Sequence, residues 1–167
     1  FALAKTFEFD SINMDLISGL PGDNMEKFRK TVAEIIALDP DNITLHTLTV
    51  KHGANLAPMA QSVFAATADA MNEYAYGEFA KAGYFPYYLY RQKGTVDNLE
   101  NVGFCKPGKE GIYNIFIMDE THTILSAGAG GVTKMKAPYD KNIERIFNFK
   151  YPYEYIERFE QMNERKE

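Results

Sequence analysis

Only one cysteine, Cys105, occurs among the 167 residues. A single thiol makes no internal disulfide, no four-cysteine zinc site and no iron–sulfur cluster by itself. A chain free of disulfides suits a reducing compartment, so a cytoplasmic protein is expected. Long apolar runs are also missing. None reaches the roughly 18 residues that cross a bilayer, and no basic-then-apolar leader is visible, so no membrane span is expected. Basic residues are outnumbered, 18 Lys and Arg against 23 Asp and Glu, for a net charge of −5. That balance argues against nucleic acid as a partner, which calls for a basic face. The first residue is Phe1 rather than Met, which leads us to expect a piece of a longer protein.

What is present is ordinary globular material, with 46% apolar and 25% charged residues. A chain of this size buries about 70% of its unfolded surface in one core. No internal repeat and no flexible linker is seen, so a single domain over 1–167 is expected. Within it, residues 1–90 read as strand–helix units and 91–167 as a C-terminal hairpin region with a terminal helix. Residues 12–18, INMDLIS, form an apolar run closed by Gly19 and read as an interior strand. A turn at LPGD follows, with Asp23 as helix cap and Glu26 completing a capping box. Met25, Phe28, Val32, Ile35 and Ile36 share one helical face. Residues 43–50, ITLHTLTV, are β-branched and read as a second strand parallel to the first. A second helix is expected over 61–82, burying Phe64, Ala68, Met71, Ala75 and Phe79, with Gly83 at its end. Residues 87–91 read as a third strand, followed by a loop through NLENVGFCKPGKEG. Residues 112–118 and the TILSAG run read as a fourth and fifth strand joined at DETH. Residues 140–149 are left as strand or loop. The terminal helix, 153–166, is expected to turn Ile156, Phe159 and Met162 inward.

Asp15 is an acid inside an apolar strand. Ligands collect at the carboxyl ends of parallel strands, where a carboxylate accepts hydrogen bonds from hydroxyls or amines. A surface-facing or turn-capping Asp is the plainer alternative. The run Gly128-Ala129-Gly130-Gly131 permits close backbone approach to a ligand or a sharp turn, and it is not a nucleotide-binding GxGxxG. Arg91, Lys93, Lys106 and Lys109 crowd one window beside Tyr84, Phe85, Tyr87, Tyr88 and Tyr90. Cations beside aromatics suit a flat anionic ring system, and a solvated loop at a core edge equally. His46, His52 and His122 lack metal-ligand spacing. Within its strand, His46 reads as a satisfied core residue. Cys105 reads as an ordinary thiol, since no His-based triad accompanies it.

The run MDLISGLPGDNMEKFRKTVAEIIALDPDNITLHTLTVKHGANL resembles the middle of the oxygen-independent coproporphyrinogen III dehydrogenases, radical SAM enzymes of haem biosynthesis. The segments YYLYRQKGTVDNLENVGFCKPGKEGIYNI and ILSAGAGGVTK resemble their HemZ-type branch in particular. This resemblance implies an α/β fold, α+β at its C-terminal end, forming the second half of a radical SAM partial (β/α)6 barrel. It implies S-adenosylmethionine and a 4Fe–4S cluster in the parent protein, oxidative decarboxylation of propionates to vinyls, and a coproporphyrinogen III-like tetrapyrrole as substrate. On the matching positions, Asp15, Thr49, Val50, Gly128, Ala129 and Gly130 would approach S-adenosylmethionine, and Arg91 and Lys93 would face substrate carboxylates. The CxxxCxxC motif that holds the cluster is absent, as are the upstream cofactor motifs. The chain is therefore expected to be inactive alone, to need the missing N-terminal half of the same protein, and to self-associate along an open strand edge at Ile12 to Ser18. Haem-binding chaperones of the same family, and a non-catalytic interaction domain, are the alternatives.

Overall fold

The computed structural model describes residues 1–48, 64–90, 100–137 and 142–166. They divide into two compact units, Phe1–Gly111 and Ile112–Glu167.

The first unit contains α1 (Ala2–Lys5), β1 (Asn13–Ser18), α2 (Met25–Leu38), β2 (Asn42–Thr47), α3 (Phe64–Lys81), β3 (Phe85–Tyr90) and β4 (Asn101–Cys105). Its sheet runs in the order β1-β2-β4-β3, with β1 and β2 parallel and β4 antiparallel to both neighbours. The parallel pair around α2 is the strand–helix–strand unit that the sequence pattern predicts. Asn24 rather than Asp23 caps α2, its side chain accepting from the Lys27 amide at 3.0 Å. The helix ends at Asp39 in the left-handed region. Phe28, Val32 and Ile35 of α2 meet Met71, Ala75 and Phe79 of α3 over Leu16, Ile43, Leu45, Val102 and Phe104 of the sheet. Ala68, Met71, Ala75 and Phe79 are all essentially buried, as the helical period requires. Gly83 follows α3 with φ of +84°. The side chain of Phe64 lies outside the described part of that helix.

The expectation of a loop over residues 98–111 is corrected. NVGFC is β4, buried along its whole length between β2 and β3. A five-residue strand inside a run of Gly, Lys and Asn gives little periodic signal, and pairing on both sides makes it.

The second unit contains α4 (Ile112–Asp119), β5 (Val132–Lys136), β6 (Ile143–Phe147), α5 (Pro152–Glu157) and α6 (Phe159–Glu164). Three expectations are corrected here. IYNIFIM is helix α4 and not a strand, a short apolar run whose period decides nothing. TILSAG keeps a single bridge, Ile124 to Lys134, while β5 pairs with β6. The terminal helix breaks at Arg158, so Ile156 and Phe159 are exposed and Met162 alone is buried.

Candidate functional site

The first sheet has two unlike faces. Residues alternate sides along a strand. Both long helices cover the side bearing Leu16, Leu45 and Val102. The register puts Asn13 and Asp15 of β1 beside Asn42 and Thr44 of β2, and Gly103 of β4 next to Tyr88 of β3, on the other side. That second face is a connected polar surface. Asn13 Nδ2 donates to Asp15 Oδ1 at 2.7 Å. Thr44 Oγ1 donates to Asn13 Oδ1 at 3.0 Å. His46 Nε2 stands 3.6 Å from Asp15 Oδ2, and the Asp15 side chain is 60% exposed. Tyr88 hydrogen-bonds Thr44, and burial pushes its phenol above the ordinary range. Its ring crosses Gly103, where any Cβ would collide with it. Asp15 is thus held by a neighbouring amide while its second oxygen stays open beside an imidazole. That pair can take a ligand's hydroxyls or amine.

The carboxyl end of the parallel strands is packed with polar side chains. Asn101 Oδ1 accepts from the Thr47 amide at 2.9 Å, and Asn72 Nδ2 donates to Thr47 Oγ1 at 3.0 Å. Asn72 Oδ1, though buried, has no partner among the described residues. Asp15 lies mid-strand rather than at this end.

Gly128, Ala129 and Gly130 belong to the second unit. Gly128 and Gly130 hold φ of +92° and +73°, which glycine alone adopts without strain. The turn is braced from outside. Gly128 N donates to Tyr155 Oη at 3.0 Å, Gly130 N to Phe149 O at 2.8 Å, and Asn148 Nδ2 donates to Gly128 O at 2.8 Å. Thr49, Val50, Arg91 and Lys93 lie outside the described residues. His46 is half-buried beside Asp15 rather than enclosed in the core.

Sequence reasoning singled out Asp15 and missed its neighbours Asn13, Thr44 and Tyr88. Their signal was present in the period-two spacing of Asn13 with Asp15 and of Thr44 with His46. Only the register sets the two pairs side by side. Cys105 is buried in β4, and burial with nearby Glu110 pushes its thiol up to about 11. Among the described residues no group of three His, Cys, Asp or Glu is placed to hold a metal ion, and no helix is long and apolar enough to cross a membrane.

No family model matches the chain. Over 169 aligned residues it is 39% identical to the oxygen-independent coproporphyrinogen-III oxidase-like protein HemZ of Bacillus subtilis, covering 99% of this chain and 34% of that protein. A stretch of 42 residues is 48% identical to an oxygen-independent coproporphyrinogen III oxidase of Pseudomonas aeruginosa, covering 25% of this chain and 9% of that protein. The fold is similar to the solved Escherichia coli coproporphyrinogen III oxidase HemN, described as a radical SAM enzyme, with a TM-score of 0.62 at 14% identity, covering 95% of this chain and 36% of that one. The chain spans about a third of the length of the relative that it matches throughout.

Proposed function

We infer that this chain, a homologue of the oxygen-independent coproporphyrinogen III oxidases over nearly its whole length, is the C-terminal part of a radical SAM coproporphyrinogen III dehydrogenase. The observation that carries this reading is the 39% identity across 99% of the chain. The open polar face around Asp15 supports it. Its acceptors and imidazole suit the hydroxyls and amine of an adenosyl ligand, so Asp15, with Asn13 and His46 beside it, is the group that would hold S-adenosylmethionine. When bound, that cofactor supplies the radical chemistry by which a propionate side chain loses its carboxylate. The 4Fe–4S cluster does not fit this chain, whose one cysteine is enclosed in β4. Cluster ligands come from the N-terminal half, and the chain alone is inactive. By the resemblance, Thr49, Val50 and the run Gly128 to Gly130 are further candidates for binding S-adenosylmethionine, and Arg91 and Lys93 are candidates for binding substrate carboxylates.

The test is product analysis on the complete protein. It should convert coproporphyrinogen III to vinyl-bearing product in the presence of S-adenosylmethionine, and Asp15→Asn should raise the KM for that cofactor. Tight stoichiometric haem binding without a new vinyl group would replace the enzyme by a haem-delivering chaperone. Strand β1 pairs only with β2 among the described residues, which leaves one edge free. Such an edge is a template for association, so the isolated chain should elute larger than a monomer as concentration rises. A monomer at every concentration, with the β1 amides protected from exchange, would remove that expectation.

A further inference from the structure

One row of residues crosses the whole sheet of the first unit. Asp15 of β1 stands opposite Thr44 of β2, Thr44 opposite Gly103 of β4, and Gly103 opposite Tyr88 of β3. At about 4.8 Å from strand to strand, the backbone of Tyr88 starts roughly 14 Å from that of Asp15. Its ring nevertheless lies back over Gly103, in the space that a Cβ there would fill, and its hydroxyl reaches Thr44. The contacts continue from there. Thr44 Oγ1 is 3.0 Å from Asn13 Oδ1, and Asn13 Nδ2 is 2.7 Å from Asp15 Oδ1. Four side chains from three strands make one line that ends on a carboxylate.

Chemistry gives this line a single direction. A carboxylate only accepts, so Asn13 must offer it the amide nitrogen. The amide oxygen of Asn13 then faces Thr44, whose one hydroxyl proton must go to it. Thr44 is left with lone pairs for Tyr88, and the phenol donates. Every proton in the line points towards Asp15. The Asn13 amide has a second orientation, a half-turn away, which would set its oxygen against the carboxylate. The ordered Thr44 hydroxyl favours the first orientation over the second. Thr44 is only 3% exposed, so little water competes for its proton, whereas the Asp15 side chain is 60% exposed. A buried line of donors thus fixes an open acceptor. With Oδ1 engaged by Asn13, Oδ2 is the oxygen presented beside His46, 3.6 Å from its Nε2.

We propose that Thr44 and Tyr88 are positioning residues for Asp15, acting through Asn13 to hold its carboxylate with Oδ2 towards the ligand. This role rests on the preceding reading, in which Asp15 holds S-adenosylmethionine.

The experiment measures S-adenosylmethionine binding by equilibrium dialysis, and KM and kcat for vinyl formation, on the complete protein. Thr44→Val keeps the branched shape and removes the hydroxyl. It should raise the Kd and KM for S-adenosylmethionine about three- to tenfold, the worth of one hydrogen bond, and the effect should fall on KM rather than on kcat. Thr44→Ser should restore binding, and Tyr88→Phe should weaken it in the same direction by a smaller factor. In an Asp15→Asn background Thr44→Val should add less than about twofold, because the group it positions is already gone. On this chain alone, the side-chain amide resonances of Asn13 should move in Thr44→Val and in Tyr88→Phe and stay in place in Thr44→Ser. Unchanged affinity in a folded Thr44→Val, a full additional loss in the Asp15→Asn background, or no rescue by serine overturns the role. If Thr44→Val does not fold, Tyr88→Phe decides, and unchanged affinity with an unmoved Asn13 amide overturns the role. Weakened binding in Asp15→Asn with Thr44→Val silent sinks the role alone, whereas Asp15→Asn without effect on binding sinks the reading of Asp15 and the role with it.

Discussion

The ring of Tyr88 occupies the space in which a side chain at Gly103 would begin. The two residues face each other across the β3–β4 ladder, where the register shifts between Pro86 and Tyr88. A tyrosine lies flat on the sheet because its opposite number has no Cβ, and from there its hydroxyl reaches Thr44. Gly103→Ala should lower stability by about 1–3 kcal/mol and break the Tyr88–Thr44 contact. Urea unfolding measures the first, and the tyrosine titration measures the second. Removing the ring as well, in Tyr88→Ala with Gly103→Ala, should recover part of the loss. A double variant no more stable than Gly103→Ala would mean that the cost of the methyl lies in the backbone.

The start of α2 offers a finer discrimination. Asn24 Oδ1 accepts from the Lys27 amide at 3.0 Å, and among the described residues Asp23 Oδ1 accepts from the next amide, that of Asn24. Asn24→Ala should therefore cost about 1 kcal/mol, and Asn24→Asp very little. Asp23→Ala should cost less than Asn24→Ala. The reverse order in a thermal or denaturant series would restore Asp23 as the cap.

How much of this was legible beforehand follows from the kind of signal each element carries. Helices α2 and α3 are long and periodic, and their buried residues, from Phe28 to Phe79, stand where the 3.6-residue repeat puts them. The parallel β1–β2 pair followed from the helix between them. IYNIFIM failed because a short run that is apolar on every side has no period to read. β4 failed because its identity as the strand between β2 and β3 lies in long-range pairing, with no local pattern to announce it. The site divides the same way. Asp15 was visible as a charge in an apolar strand, whereas Thr44 and Tyr88 become its neighbours only through register. The resemblance reached further than the periodicity, since it rests on whole segments and not on spacing.

Cys105 should behave as an inert thiol. It has no exposed surface, and burial raises it from 9.0 to about 11. Reactivity requires the thiolate, so at pH 8 a disulfide reagent should leave the folded chain unmodified. Adding denaturant should release one thiol per chain. Stoichiometric reaction without denaturant, at the rate of a free thiol, would show that β4 opens readily and is not a central strand.

Tyr84 gives a pH signature whose sign is fixed by its surroundings. Its hydroxyl donates to the Pro40 carbonyl at 2.7 Å within the core, and its ring sits edge-on to Phe79. Burial, with Asp39 and Asp41 nearby, pushes the phenol from 10.0 up to about 12. The folded state therefore holds this proton through a range in which the unfolded chain releases it. Its contribution to stability is complete below pH 10 and is lost as pH rises towards 12. Tyr84→Phe leaves the Pro40 carbonyl without its partner, so the variant should be less stable at neutral pH by about 1–3 kcal/mol. Between pH 10 and 12, however, its denaturation midpoint should fall less steeply than that of the parent, because the group that loses its proton is gone. Cys105 titrates in an overlapping range in both proteins and cancels in the comparison. Parallel curves for parent and variant across that interval would show that the Tyr84 hydroxyl is not retained in its buried hydrogen bond.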